Sequence, residues 1–158
     1  MNKKYISILI ICSLITVLCM GLVCAKSMQT QDFYSFKIDT PNGSNFVKEE
    51  IEIDEDNIFP GSQEAYVDEQ NQIMIYYIDS PIFAGENNAI IYHALFSTLN
   101  PDANQSYEYQ EDNLRVIETV TESEMNLQLV GLTSGNETIL LIGTDVDLLK
   151  DMAHTVEF

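Results

Sequence analysis

Beyond residue 32, the apolar residues of this chain recur mainly at every second position, interrupted by clusters of proline, glycine, asparagine and aspartate. That period belongs to strands, whose successive side chains point to opposite faces. Tyr34, Phe36 and Ile38 share one face against Ser35 and Lys37, and Pro41-Asn42-Gly43 then marks a turn. Val47, Glu49, Ile51 and Ile53 alternate with Lys48, Glu50, Glu52 and Asp54, and Pro60-Gly61 breaks the chain. Ala65–Val67 and Ile73–Ile78 bracket Asp68–Gln72 and read as a hairpin with a loose loop. Ile73–Ile78 is almost continuously apolar, as expected of a central strand covered on both faces. Leu114–Val120, Met125–Leu132 and Thr138–Ile142 continue the pattern, with Ser106–Gln110 as the candidate for one more strand and Ser134-Gly135-Asn136 as a hairpin turn.

Two segments change to a helical period. In Glu86–Asn100, Ile91, Leu95 and Leu99 step by four beside Tyr92 and Phe96, and Pro101 stops the helix. Near the end, Thr144-x-x-Asp147 has the form of a capping box, and Leu148, Leu149, Met152 and Val156 make an apolar stripe. The element order predicts an α+β fold. It has a mainly antiparallel sheet of about six to eight strands with two helices packed on it, preceded by an N-terminal hydrophobic helix.

That first helix follows from the leader. Lys3 and Lys4 precede an uncharged run from Tyr5 to Ala25, which holds Cys12, Cys19 and Cys24, the only cysteines. A charged start and an apolar core define a signal peptide, and Val23-Cys24-Ala25 suits cleavage before Lys26. The run also matches the roughly 20 residues that span a bilayer, so residues 1–25 are a signal peptide or a single transmembrane anchor. Either way the lysines stay inside and the domain faces outward, placing it at the cell membrane or as a secreted protein. Residues 26–31 read as a short polar linker and 32–158 as one extracytoplasmic domain.

Every one of the 25 acidic residues lies after the leader, against five basic ones: Lys26, Lys37, Lys48, Arg115 and Lys150. Such a field repels nucleic acid and favours cations or basic partners. Without cysteine, the domain must be held by packing and backbone hydrogen bonds. Sequons at Asn42, Asn104 and Asn136 fall at turns or loops, where glycans sit on exported proteins.

Phe36-Lys37-Ile38-Asp39-Thr40-Pro41-Asn42-Gly43 opens a domain that closes with Ile139-Leu140-Leu141-Ile142-Gly143 and Asp147-Leu148-Leu149-Lys150-Asp151-Met152-Ala153. This pattern resembles the PsbP-like fold, in which an opening strand runs into a Pro-Gly-type turn before a central helix, an antiparallel sheet and a helix near the end. It is also similar to small exported single-domain prokaryotic proteins of unassigned activity. The resemblance covers most of residues 33–158 and implies a non-catalytic accessory or binding module. The chain departs from the pattern in lacking tryptophan after the opening Pro-x-Gly.

Few residues suggest chemistry. Glu49, Glu50, Glu52, Asp54, Glu55 and Asp56 crowd eight positions, and Asp54, Asp56 and Asn57 at the strand end are the candidate ligands for Ca2+. An EF-hand loop starting at Asp54 would need glycine where Phe59 stands. The competing reading is a solvated, charged edge strand. His93 and His154 fall on polar helix faces, and no Gly-x-Ser-x-Gly elbow or phosphate loop occurs. Tyr107 and Tyr109 share a strand face among Glu108, Glu111 and Asp112, which suits protein or glycan contact as well as a half-buried strand position. The expected function is therefore a non-catalytic interaction module at the cell envelope, binding an envelope protein or glycan and no nucleic acid, with a Ca2+-binding module as the alternative and a hydrolytic enzyme behind both.

Overall fold

The computed structural model describes residues 27–50, 61–83, 92, 105–120 and 126–158. Nine strands and one α-helix lie in these segments: β1 Met28–Asp32, β2 Lys37–Pro41, β3 Val47–Glu49, β4 Ser62–Asp68, β5 Ile73–Asp79, β6 Gln105–Glu111, β7 Leu114–Val120, β8 Gln128–Ser134, β9 Glu137–Gly143 and α1 Val146–Ala153. β3 to β9 form one seven-stranded sheet in the order β3-β4-β5-β9-β8-β7-β6, and every neighbouring pair is antiparallel. β1 and β2 form a separate two-stranded ribbon. The mainly antiparallel α+β architecture is the one expected. The hydrophobic helix expected within residues 1–25 lies outside the described residues.

The alternation in β5 explains the two layers. Ile73, Ile75 and Tyr77 enter a core with Leu114, Val116, Val130, Leu132, Ile139 and Leu141, which α1 and the ribbon cover. Met74, Tyr76 and Ile78 face the other way, with Ile117, Leu129, Leu140, Ile142 and the ring of Tyr92. A strand covered on both faces needs apolar residues at every position, and that is the run the sequence carries. Burying one such aliphatic side chain stabilises the fold by about 1.5–3 kcal/mol.

Three expectations need correction. Among the described residues there is one α-helix, against the two expected; of Glu86–Asn100 only Tyr92 is described, and its backbone is helical. The polar linker is also largely a strand, since Met28–Asp32 pairs with β2 from Met28↔Pro41 to Asp32↔Lys37. Its residues alternate without a strongly apolar face because the ribbon buries only one side, and Met28 packs partly on the core. The helix start is one residue off. Asp145 is the N-cap of α1, in extended conformation, and its carboxylate accepts the Leu148 N–H at 3.1 Å. Asp147 in the first turn and Lys150 in the last both complement the helix dipole.

The ribbon is fastened by the chain's last residues. Lys37 and Glu157 exchange backbone hydrogen bonds of 2.8 and 2.9 Å, and the Asp39 N–H donates to Thr155 Oγ1 at 2.8 Å. At its other end, Asn42 donates its backbone N–H to the Ser27 carbonyl and its side-chain amide to Ser27 Oγ.

Candidate interaction surface

The β1–β2 connection holds Tyr34, which with Gln72 and Asp112 is one of three non-glycine residues of positive φ among the described residues. The Phe33 N–H donates to the Phe36 carbonyl and the Ser35 N–H to the Phe33 carbonyl, both at 2.9 Å. This tight reversal sends Phe33 and Phe36 inward and Tyr34 outward. The inward rings stack at 4.9 Å, and Tyr66, Phe46 and Tyr77 extend the aromatic cluster. Tyr34 is 100% exposed and has φ of +73°. With the Ser35 N–H bonded back to the Phe33 carbonyl, this φ makes Tyr34 the centre of a γ-turn of the rare positive-φ kind, a strained conformation that costs about 1–3 kcal/mol. Asp32 Oδ1 accepts the Tyr34 N–H at 3.0 Å and helps to hold it. The expectation that Tyr34 shares a buried face with Phe36 and Ile38 is thus overturned, because the turn resets the register before β2 begins.

Beneath this tip lies a polar cluster centred on Glu64. Its carboxylate accepts from Lys48 Nζ at 2.7 Å, Tyr66 Oη at 2.9 Å and Ser35 Oγ at 3.2 Å. Lys48 also lies 5.6 Å from the centre of the Tyr66 ring. Partial burial works to raise the Glu64 pKa, but the Lys48, Tyr66 and Ser35 hydrogen bonds outweigh it and hold the carboxyl below its ordinary value. Lys48 moves consistently in the opposite sense, upward, chiefly through the bond to Glu64. Burial and the hydrogen bond to Glu64 raise the Tyr66 phenol. The cluster ties the tip to β3 and β4, so Tyr34 projects from a braced turn. Sequence reasoning missed Tyr34, Glu64 and Lys48; the signal was Phe33-Tyr34-Ser35-Phe36, whose aromatic spacing breaks the period of two.

At the opposite sheet edge the tyrosine pair divides. Tyr107 is 58% exposed, while Tyr109 donates its hydroxyl to Glu118 at 2.6 Å and lies under Lys150, whose Nζ is 5.1 Å from the ring centre. Lys150 reaches from α1 to Glu111 at 2.8 Å, and that bond, with Tyr109 next, raises its pKa. Tyr109 therefore serves to fasten α1 to β6, and Tyr107 is the member left on the surface.

Of the other sequence candidates, Asp54, Asp56 and Asn57 lie outside the described residues, as do His93 and Asn104. Among the described residues, no group of three or more His, Cys, Asp or Glu side chains is placed to hold a metal ion. His154 is exposed after the end of α1. Asn42 and Asn136 are exposed at turns, yet their sequon hydroxyls are not. Ser44 is buried and accepts from Asn71 Nδ2 at 3.0 Å, and Thr138 is buried against Thr133 at 3.0 Å. Among the described residues, no helix is long and apolar enough to cross a membrane.

No protein-family model matches the chain, and no curated protein matches it. Among solved structures it is similar to the solution structure of cyanobacterial PsbP (CyanoP) from Synechocystis sp. PCC 6803. Identity is 14%, the match covers 90% of this chain and 98% of that one, and the TM-score is 0.45. The neighbour carries the PsbP name that the sequence pattern brought up. Likeness of this degree concerns layout and carries no function across.

Proposed function

We propose that this protein is an exported or membrane-anchored acidic domain, acting as a non-catalytic interaction module at the cell envelope. The observation that carries the reading is Tyr34, a fully exposed aromatic held in a costly backbone conformation at the tip of a braced turn. An exposed tyrosine on a braced backbone offers a large contact area with only two side-chain torsions to immobilise, which is the chemistry of a binding anchor. Backbone strain of this kind clusters at functional sites. The partner is an envelope protein or glycan, and the acidity of the domain favours a basic or cation-bridged surface.

The test is site-specific photo-cross-linking in native cells, with the full-length protein carrying a photoreactive phenylalanine analogue at position 34 or, as control, at exposed Gln70. Position 34 should capture one discrete envelope component that position 70 does not, and Tyr34→Gly should reduce its co-purification with the otherwise unmodified protein. Equal capture from both positions overturns the reading. So does substrate turnover by the purified protein that one substitution abolishes without unfolding it.

A further inference from the structure

The two edges of the seven-stranded sheet differ. β3 has three residues and carries Lys48, and short or lysine-bearing edges discourage pairing with other chains. β6 has seven residues and pairs with β7 residue for residue, from Gln105↔Val120 to Glu111↔Leu114. Its sequence, QSYEYQE, contains no proline, lysine or arginine. An antiparallel strand directs backbone groups alternately to its two sides. The outer side of β6 pairs with no described strand. Of the usual protections of an edge, lysine, proline and a bulge are missing from β6, and the charges it does carry are acidic, a guard against acidic partners and not against basic ones.

What remains on β6 is acidic or neutral. Glu108 and Glu111 stand on the strand and Asp112 in the turn that follows. Glu108 meets Arg115 on β7, and Glu111 meets Lys150, yet Glu111 keeps 48% of its side chain exposed and Glu108 31%. A carboxylate has about four acceptor sites, so neither is saturated by one donor. Tyr107 adds an exposed ring on the same strand.

We propose that β6 takes up an extended, lysine- or arginine-bearing polypeptide segment as an eighth strand of the sheet. Backbone hydrogen bonds supply the affinity of such an addition, and alternate side chains supply its selectivity. A second copy of this chain fits less well. Two β6 strands paired antiparallel about their centre set Glu108 against Glu108, and like charges placed opposite destabilise a sheet. The net charge of −18 adds repulsion at longer range. A basic segment meets neither obstacle. This edge is separate from the Tyr34 tip, so either surface can be wrong without the other.

The experiment is amide hydrogen exchange on the full-length protein in detergent, with an acetylated heptapeptide of alternating lysine and valine as the probe. A peptide of alternating glutamate and valine is the control. The lysine peptide should slow exchange across Gln105–Glu111 severalfold, and the glutamate peptide should not. Tyr107→Lys with Gln110→Lys should weaken binding about tenfold, because it gives the edge the guard it lacks. Gln110→Lys alone, at an exposed position, should act in the same direction if the double variant unfolds. Equal protection by both peptides, protection elsewhere only, or none overturns the proposal. Peptide-free protection of β6 that grows with protein concentration assigns the edge to a second copy and overturns it as well.

Discussion

The ring of Tyr92 lies where a side chain at Gly131 would have to stand. A Cβ built on Gly131 would overlap the ring carbons, and the Tyr92 hydroxyl meets Thr133 Oγ1 two residues further along β8. Glycine is present here for close approach of a ring to the backbone. Gly131→Ala should therefore destabilise the protein by about 1–3 kcal/mol. Tyr92→Phe, which keeps the ring and removes the hydroxyl, should cost about 1 kcal/mol. Urea unfolding of both variants checks this; an unchanged midpoint for Gly131→Ala would mean that the ring is not seated there.

A second glycine is fixed by a different contact. Gly61 has φ of +121°, and a Cβ there would collide with the carbonyl of Asp79 on the neighbouring strand. Neither the backbone angle nor the space suits another residue. Gly61→Ala should lose roughly 3 kcal/mol, seen as a lower melting temperature, because the clash and strain outweigh the gain from reduced unfolded-state entropy.

Tyr34→Gly should do the reverse. Glycine adopts the left-handed turn without the Cβ penalty, and an exposed ring contributes no burial to the fold. Stability should stay level or rise by up to about 1 kcal/mol, while recovery of the proposed partner falls. A marked loss of stability would show that the ring serves the fold.

How far these features can be read from residues alone differs by element. β5 was legible because a strand covered on both faces must be apolar throughout, and Ile73–Ile78 is. The Ser134-Gly135-Asn136 turn was legible because Gly135 takes φ of +61°, which glycine adopts freely. β1 was not, since Met-Gln-Thr-Gln-Asp has the composition of a tether and gains its partner only when β2 folds back. The Tyr34 tip escaped for a related reason. Alternation assumes one unbroken strand, and a turn inserted between Phe33 and Phe36 exchanges inside for outside. The Glu64 cluster brings Ser35 of the turn and Lys48 of β3 to Glu64 and Tyr66 of β4, a meeting of three segments that no local pattern encodes.

Acid should release that cluster. The folded Glu64 pKa lies below its ordinary 4.5, so the carboxylate contributes stability that is fully present above about 4.5 and lost as pH falls through the lower folded value. The stability difference between the natural protein and Glu64→Gln should shrink across that window. A difference that stays constant with pH would show that charge at this position is irrelevant to stability.

Alkali should act through the tyrosines of β5. Burial pushes the Tyr76 phenol up to about 12. Tyr77 is raised as well, by burial first and then by its hydrogen bond to Glu137. Each favours the neutral phenol in the fold, so the stability it lends is present below pH 10 and lost as pH rises toward 12. Tyr76→Phe should soften the decline in melting temperature across this range. Ultraviolet titration of tyrosinate should show the natural protein ionising these groups only as it unfolds.

The ribbon also sets how the protein would answer to mechanical load. Ser27 is bound to Asn42, and β1 begins at the next residue, so there is no slack between the preceding chain and the fold. A pull from that side enters the Ser27–Asn42 pair and then the five rungs of a two-stranded ladder, before any strand of the main sheet bears it. Tyr34 stands at the far end of that ladder. Tension on the N-terminal side would reach the exposed ring while the seven-stranded sheet was still intact.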